Sequence, residues 1–277
     1  MERIPYEIFG HPIKDRSKQA EKDRKRRWCP FVNKKCSKQS RLEYPFGVCS
    51  VRYENELIAI CPKRFRQQDL VFKDIAKAAF GSLHNLLLFD EIKLGDIGSC
   101  DFVVVKHKPL KKDIEDFMIV EFQTGQTTGT GNLVQAFRDF RNGKELSGKH
   151  YGFSMNFFDI WKREFTQILF KGMVMEHWGK QIFWVVQTPV FQYLVKKYHL
   201  KGFHKALRSS TIFVTYDLKL AGKRSRLCLE GYHSITIDNL FKSLKHNQPI
   251  PDIQDFLAKI SKRIGRKKTL ELHLAEK

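Results

Sequence analysis

Three apolar segments follow one another between residues 85 and 124, and they constrain the fold more than any other part of the sequence. They cover residues 85–94, 100–108 and 117–124. Each is rich in aliphatic and aromatic residues and is followed by turn-forming residues, which is typical of β-strands. Because the connections are short and carry glycine, proline and charged residues, we expect the three strands to pair as an antiparallel meander.

The rest of the chain alternates helical and strand patterns. Predicted helices cover residues 68–81, 132–143 and 189–198, and further strands cover residues 181–188 and 211–220. The helices show apolar residues at helical spacing, whereas residues 181–188 form the continuous apolar run typical of a central strand. Residues 156–177 are ambiguous, and amphipathic helices are expected near the C-terminus. The pattern predicts an α/β fold with a mixed sheet flanked by helices.

Positive charge dominates the composition. The chain has 50 Lys and Arg against 30 Asp and Glu, a net charge of +20, and residues 14–41 alone carry a net charge of +9. Such an excess attracts polyanions, so nucleic acid is the favoured partner and an anionic membrane the next; a basic protein without a polyanion ligand is the alternative. There is no run of about 18 apolar residues and no signal-peptide pattern, so we expect a cytoplasmic protein without a membrane span.

Four of the six cysteines fall within a short N-terminal segment: they are Cys29, Cys36, Cys49 and Cys61. They are separated by 6, 12 and 11 residues. In an intracellular protein such a cluster favours a metal site, in which four thiolates around Zn²⁺ or iron would stabilise a short, highly charged segment. Two disulfides or unrelated buried thiols are the alternatives. Cys100 and Cys228 lie in or beside apolar stretches, and we expect both to be buried.

Two carboxylates occupy matching positions in the predicted meander. Asp101 opens the second strand and Glu121 lies near the end of the third, so strand pairing would bring them close together. Glu121 and Gln123 share one face because strand side chains alternate. With water and a backbone carbonyl such as that of Phe122, these oxygens would suit Mg²⁺, which assists phosphodiester cleavage by polarising the phosphate and activating water. The plainer interpretation is a turn aspartate and a solvated glutamate.

The segments around Asp101 and Glu121 resemble the PD-(D/E)XK nuclease superfamily, in which an Asp is followed, after a gap, by an acid and a Lys two residues apart. Gln123 occupies the lysine position, as it does in the Glu-x-Gln variant of a few restriction endonucleases. Since an amide is neither charged nor basic, the lysine's role in activating water does not carry over. Residues 4–13 and the four cysteines resemble the NotI restriction endonuclease family, which joins a four-cysteine iron-binding segment to such a core.

The NotI-like resemblance implies two domains: a four-cysteine, DNA-contacting segment at residues 1–66 and a PD-(D/E)XK core with C-terminal helices at residues 67–277. It implies that Asp101, Glu121 and Gln123 form the catalytic set, with Mg²⁺ as the catalytic ion. It also implies that the four cysteines hold structural iron or zinc.

Further candidates come from the neighbouring strand and from the basic clusters. Glu91 would place a third carboxylate beside Asp101 and help to hold a second metal ion, although a solvent-facing strand residue explains it equally well. The candidate DNA contacts are Arg24, Arg26, Arg27, Lys262, Arg263 and Arg266. Most basic side chains at a DNA interface meet phosphates rather than bases.

The sequence thus predicts a type II restriction endonuclease that makes Mg²⁺-dependent, sequence-specific double-strand cuts in DNA. A palindromic target would favour a homodimer, and a cognate DNA methyltransferase would be encoded nearby. Two alternatives stay open. One is a DNA-binding metal protein with an inactive nuclease-like domain, and the other is a repair or RNA-processing nuclease on the same core.

Overall fold

The structure, a computed structural model, describes residues 2–111, 113–222, 224–247 and 249–264, apart from the side chain of residue 163. The strands are β1 (Arg3–Ile8), β2 (His11–Pro12), β3 (Trp28–Cys29), β4 (Lys34–Lys35), β5 (Val48–Tyr53), β6 (Glu56–Ala59), β7 (Leu86–Lys93), β8 (Ser99–His107), β9 (Ile114–Phe122), β10 (Thr127–Thr128), β11 (Ser154–Met155), β12 (Gln181–Gln187), β13 (Thr211–Ala221) and β14 (Arg224–Ile235). The helices are α1 (Lys18–Arg26), α2 (Leu70–Phe80), α3 (Thr130–Arg141), α4 (Phe157–His177), α5 (Thr188–Lys197), α6 (Ile237–Asn247) and α7 (Ile253–Ser261).

A six-stranded mixed sheet in the order β14-β13-β12-β9-β8-β7 forms the centre of the protein. The strands β7, β8 and β9 are successive antiparallel neighbours, so the predicted meander is confirmed. The strands β9, β12 and β13 run parallel, and β14 returns antiparallel. Parallel neighbours require long crossovers, which α3 and α4 and then α5 provide. The mixed sheet with its helices confirms the predicted α/β class.

Helices cover both faces of this sheet. On one face, Phe72 and Ile75 of α2 share a buried core with Val120 of β9. On the other, Trp161 and Ile168 of α4 share a core with residues of α5, α6 and the sheet. The ambiguous segment 156–177 is therefore almost entirely the helix α4.

A second, four-stranded sheet in the order β2-β1-β5-β6 was not predicted. Its strands are short and contain prolines and charged residues, which weaken the strand pattern. Leu133 and Phe137 of α3 pack into its core beside Val48 and two of the cysteines, Cys29 and Cys36. Since this core combines residues from both sides of position 66, the division into residues 1–66 and 67–277 stays a prediction.

Cys228 corrects one expectation about the buried thiols. Cys100 is buried, as expected, but Cys228 lies in β14 and is only partly buried. The strand β14 was not predicted either, because it is an outer strand whose buried positions alternate with charged and polar residues. It pairs with β13 over a long register that shifts between Thr215 and Tyr216.

A buried ion pair joins the two sheets. Glu7 of β1 and Arg64, in the 3₁₀ segment that follows the cysteines, are both about 1% exposed, and their side chains meet at 2.8 Å. Ser50 and Ser225 donate hydrogen bonds to the same carboxylate. Arg64 also donates to the carbonyl oxygen of Ser225 at 3.1 Å, which reaches the outer strand of the central sheet. The pair is thus fully hydrogen-bonded, as a buried pair must be.

Replacing Arg64 should destabilise the protein strongly. The Arg64→Met variant leaves the Glu7 carboxylate buried without its cation, so the free energy of unfolding should fall by about 3–5 kcal/mol. Urea denaturation would measure this change. The matched control is Arg52→Met, which removes a partly exposed pair with Glu2 and should cost no more than about 1 kcal/mol. Equal losses in the two variants would contradict the importance of the buried pair.

Candidate active site

A cleft of about 830 Å³ opens where β8 and β9 stop pairing. The last paired residues at this end of the two strands are Phe102 and Val120. In the next position Oδ2 of Asp101 accepts a hydrogen bond from the backbone N–H of Phe122 at 2.9 Å. This side-chain oxygen takes the place of a backbone acceptor in the strand pairing, and the contact holds Asp101 beside Glu121. The structure thus brings Asp101 and Glu121 together at the cleft, as strand pairing predicted.

Glu121 is nearly buried and faces a lysine that the sequence analysis did not select. Its Oε1 lies 2.7 Å from Nζ of Lys171 in α4, and both side chains are about 4% exposed. Lys171 also donates a hydrogen bond to the carbonyl oxygen of Ser99 at 2.8 Å. Burial raises the pKa of the Glu121 carboxyl to about 7, Lys171 opposes this rise, and the negative charge of Asp101 adds to it.

Gln123 lines the same cleft as Glu121, as strand alternation predicted. Its Nε2 donates a hydrogen bond to Oε2 of Glu164 in α4 at 3.0 Å. The amide is therefore oriented by a carboxylate, and its oxygen is directed away from that contact. Phe122 packs its ring against Phe65, Phe72 and Phe102, which anchors the strand between the two polar residues.

Glu91 also lines the cleft, together with Asp90. Asp90 pairs with Phe102 and Ile92 pairs with Cys100, so Glu91 lies opposite Asp101 on the neighbouring strand. Its backbone has a φ of +53°, an uncommon conformation for a residue with a side chain. Whether Glu91 takes part in chemistry stays a prediction.

The cysteine segment contributes cations to the rim of the cleft. Lys34, between the first two cysteines, and Lys63 and Arg66, just after the fourth, all line it. The cleft therefore combines an acidic floor with a partly basic rim. That arrangement suits a polyanionic backbone whose phosphate approaches a divalent cation.

The carboxylates fit Mg²⁺ by the chemistry of their donors. Mg²⁺ prefers oxygen, keeps several waters and is often held by only one or two carboxylates. The contacts with Phe122 N–H and Lys171 engage one oxygen each of Asp101 and Glu121, so the second oxygen of each can serve as a ligand. Within the described ranges, no group of three or more His, Cys, Asp or Glu side chains is arranged to hold a metal ion.

The four N-terminal cysteines are buried and form no disulfide with one another. Burial raises the pKa of Cys29, Cys49 and Cys61, and the mutual effect of the thiols on these pKa values indicates that they lie near one another. Backbone N–H groups, including that of Gly10 towards Cys49, are directed at three of the sulfurs. The donors thus suit Zn²⁺ or iron chemically, although they do not form an assembled metal-binding group here.

The predicted DNA contacts lie in different surroundings. Arg24 is half-buried and donates hydrogen bonds to the carbonyl oxygens of Pro12 and Asp15, which is a structural role. Arg26 and Arg27 are exposed at the end of α1. Lys262 and Arg263 are exposed after α7, and position 266 lies outside the described residues. None of the five described side chains of this set lines the cleft.

Gly172 explains how Lys171 reaches the sheet. A Cβ at position 172 would lie 2.3 Å from Cδ1 of Ile237 and 2.7 Å from Oγ1 of Thr211. Since real Cβ atoms do not approach that closely, a side chain at position 172 would force Ile237 and Thr211 to shift away from α4. No sequence pattern singled out Lys171, because a lysine in an amphipathic helix usually faces solvent and because Lys171 lies 50 residues after Glu121.

A net charge of +20 and a carboxylate-lined cleft beside a mixed sheet make the chain a candidate nucleic-acid hydrolase. Residues 13–227 match the family model described as restriction endonuclease NotI, so the chain belongs to the NotI restriction endonuclease family. The match spans the four cysteines, the cleft carboxylates and Lys171. No curated protein matches the chain.

Family membership makes the chain a restriction endonuclease, a site-specific hydrolase whose substrate is DNA. The matched residues extend well beyond the first half of the chain, where the resemblance of individual motifs lies. In the part of the chain that the structure describes, no helix is both long and apolar enough to cross a membrane.

Proposed function

We propose that this protein is a type II restriction endonuclease that makes Mg²⁺-dependent, sequence-specific double-strand cuts in DNA. The observation that carries the proposal is the meeting of Asp101 and Glu121 where β8 and β9 separate, inside a cleft with a basic rim. The mixed sheet, which supplies both carboxylates from adjacent strands, supports a PD-(D/E)XK core.

The residues of the cleft divide the work of phosphodiester hydrolysis. Asp101 and Glu121 would hold Mg²⁺, which when bound supplies charge neutralisation and a more acidic water. The backbone N–H of Phe122 keeps Asp101 in place. The carbonyl oxygen of Phe122 is a further candidate ligand, and Glu91, opposite Asp101, is a candidate ligand for a second ion.

Gln123 and the cations of the rim bind and orient the substrate in this proposal. Glu164 fixes the amide of Gln123, so that its oxygen can accept a hydrogen bond from water beside the scissile phosphate. Lys34 and Lys63 can neutralise neighbouring phosphates of the bound strand, as can the exposed Arg26, Arg27, Lys262 and Arg263 at a greater distance from the cleft.

Plasmid cleavage tests the proposal directly. With Mg²⁺, the purified protein should produce discrete DNA fragments, whereas Asp101→Asn and Glu121→Gln should lower the cleavage rate by at least ~100-fold because each removes a charged ligand. The matched control is Asp113→Asn, an exposed residue outside the cleft, which should cleave as the parent does. Gel electrophoresis over time measures the rates.

Other results of that experiment would favour the alternatives. Binding of DNA without cleavage would favour a metal protein with an inactive nuclease-like domain. Smeared products, or preferential cleavage of RNA or damaged DNA, would favour a repair or RNA-processing nuclease. Full activity of Asp101→Asn would contradict the assignment of the site itself.

We further propose that Cys29, Cys36, Cys49 and Cys61 hold one structural iron or zinc ion. The support is their burial, the absence of disulfides among them and the backbone N–H groups directed at three sulfurs. Bound metal would keep the thiols ionised and would hold the segment that carries Lys34 and Lys63 at the rim.

Elemental analysis tests this metal. Protein as isolated should contain about one iron or zinc per chain, as a closed tetrahedral thiolate site holds. The Cys49→Ser variant should lose it and should unfold at a lower temperature, whereas Cys228→Ser, at a partly exposed cysteine of the central sheet, should retain it. Parent protein free of both metals would rule out the site.

We also propose a homodimer, because a palindromic target is read most simply by a two-fold symmetric pair of subunits. A cognate DNA methyltransferase would protect the host DNA and need not bind this chain. Sedimentation equilibrium of the free protein should give a mass twice the 32.6 kDa of the chain, and the complex with DNA should contain two chains. A monomer both free and bound to its site would contradict the dimer.

A further inference from the structure

The side chain of Lys171 is buried, which is unusual for a lysine. Among the residues that the structure describes, only Lys171 and Arg64 are buried cationic side chains of the Lys and Arg type. Arg64 is explained by its pair with Glu7, which joins the two sheets. Burying an ammonium group costs free energy unless partners compensate it. Lys171 has two such partners, Glu121 and the carbonyl oxygen of Ser99.

A purely structural role does not account for the position of this lysine. Its neighbours on the buried side of α4 include Ile168 and Met175, and a well-packed apolar residue commonly stabilises a protein as much as a buried ion pair does. Lys171 instead reaches the cleft that Asp101, Glu121 and Glu164 line. It is thus the cation nearest to the carboxylate that the proposed reaction uses.

Among the described residues that line the cleft, those contributed by β7, β8 and β9 include no cation. Gln123 follows Glu121 on the same face of β9 and is neutral, and it is engaged with Glu164. Lys171 approaches the same carboxylate from the helix side, at a distance that Gly172 makes accessible. A fixed charge in such a low-dielectric place acts strongly because it needs no reorganisation during the reaction.

We propose that Lys171 is a positioning residue for phosphodiester cleavage, which fixes Glu121 by its ammonium group and supplies from α4 the positive charge that Gln123 does not supply from β9. The inference rests on the proposed function. The fixed contact with Oε1 orients the carboxylate of Glu121 towards the cleft. The charge also offsets part of the repulsion between the acidic floor and an incoming phosphate.

Three variants test this role. Lys171→Met removes the charge and keeps the apolar stem. The matched control is Lys162→Met, an exposed lysine about two and a half turns earlier in the same helix and therefore on its opposite face. The double variant Lys171→Met with Gln123→Lys returns a lysine to the cleft from the strand. The readouts are the single-turnover cleavage rate at saturating Mg²⁺, the affinity for target DNA in Ca²⁺, and the melting temperature.

We expect Lys171→Met to lower the single-turnover rate by at least ~100-fold, the size of effect seen when a preorganised charge or donor is removed. Its DNA affinity should change less than ~3-fold, because positioning acts on the chemical step. The control should cleave as the parent does. The double variant should recover at least tenfold of the lost rate, which a merely structural lysine would not allow.

Two results would overturn the inference while leaving the proposed function intact. One is a folded Lys171→Met variant that cleaves as fast as the parent. The other is a double variant that folds but regains no rate. If Lys171→Met does not fold, Lys171→Gln replaces it, since the amide can still donate hydrogen bonds to Ser99 and Glu121. Failure of the parent itself to cut DNA would refute the proposed function instead.

Discussion

The buried pair of Glu7 and Arg64 is the interaction on which the arrangement of this protein depends. It joins a small N-terminal sheet to the outer strand of the central sheet through Ser225. Arg64 comes only a few residues after the last cysteine of the N-terminal cluster. The same contact therefore fixes the direction in which Lys63 and Arg66 enter the rim of the cleft. A charged pair that does not line the cleft thus helps to place the cations that a substrate would meet.

The site itself arises where regular pairing fails. As long as β8 and β9 continue their ladder, backbone groups satisfy one another and side chains only pack. At Asp101 a carboxylate takes over the duty of a backbone acceptor, and two negative charges come together as a consequence. Proteins tolerate such crowding only with compensation, which Lys171 supplies in the structure and which a divalent cation would supply in the reaction. The end of the β8–β9 pairing therefore brings together the two carboxylates on which the proposed chemistry depends.

The sequence predicted the elements whose patterns are strong and local. The strands around Asp101 and Glu121, the central strand and its following helix all carry long apolar runs, and the two carboxylates were found because strand alternation is a short-range rule. The N-terminal sheet and β14 were not predicted, because short or outer strands with polar positions resemble loops in sequence. The roles of Lys171 and Glu164 were not predicted, for a different reason. Their roles depend on how α4 lies against the sheet, and that distance is a property of the packed protein rather than of any segment.

Gly172 shows that the absence of a Cβ atom can influence the geometry of a neighbouring site. The length of a lysine side chain is fixed, so its ammonium reaches Glu121 only if the helix backbone runs at one particular separation from the sheet. Because Gly172 has no side chain, the backbone of α4 can lie at that separation from Thr211 and Ile237. The electrostatics of the cleft are therefore tuned by the packing of Gly172 against Thr211 and Ile237, which lies beside the cleft rather than in its lining.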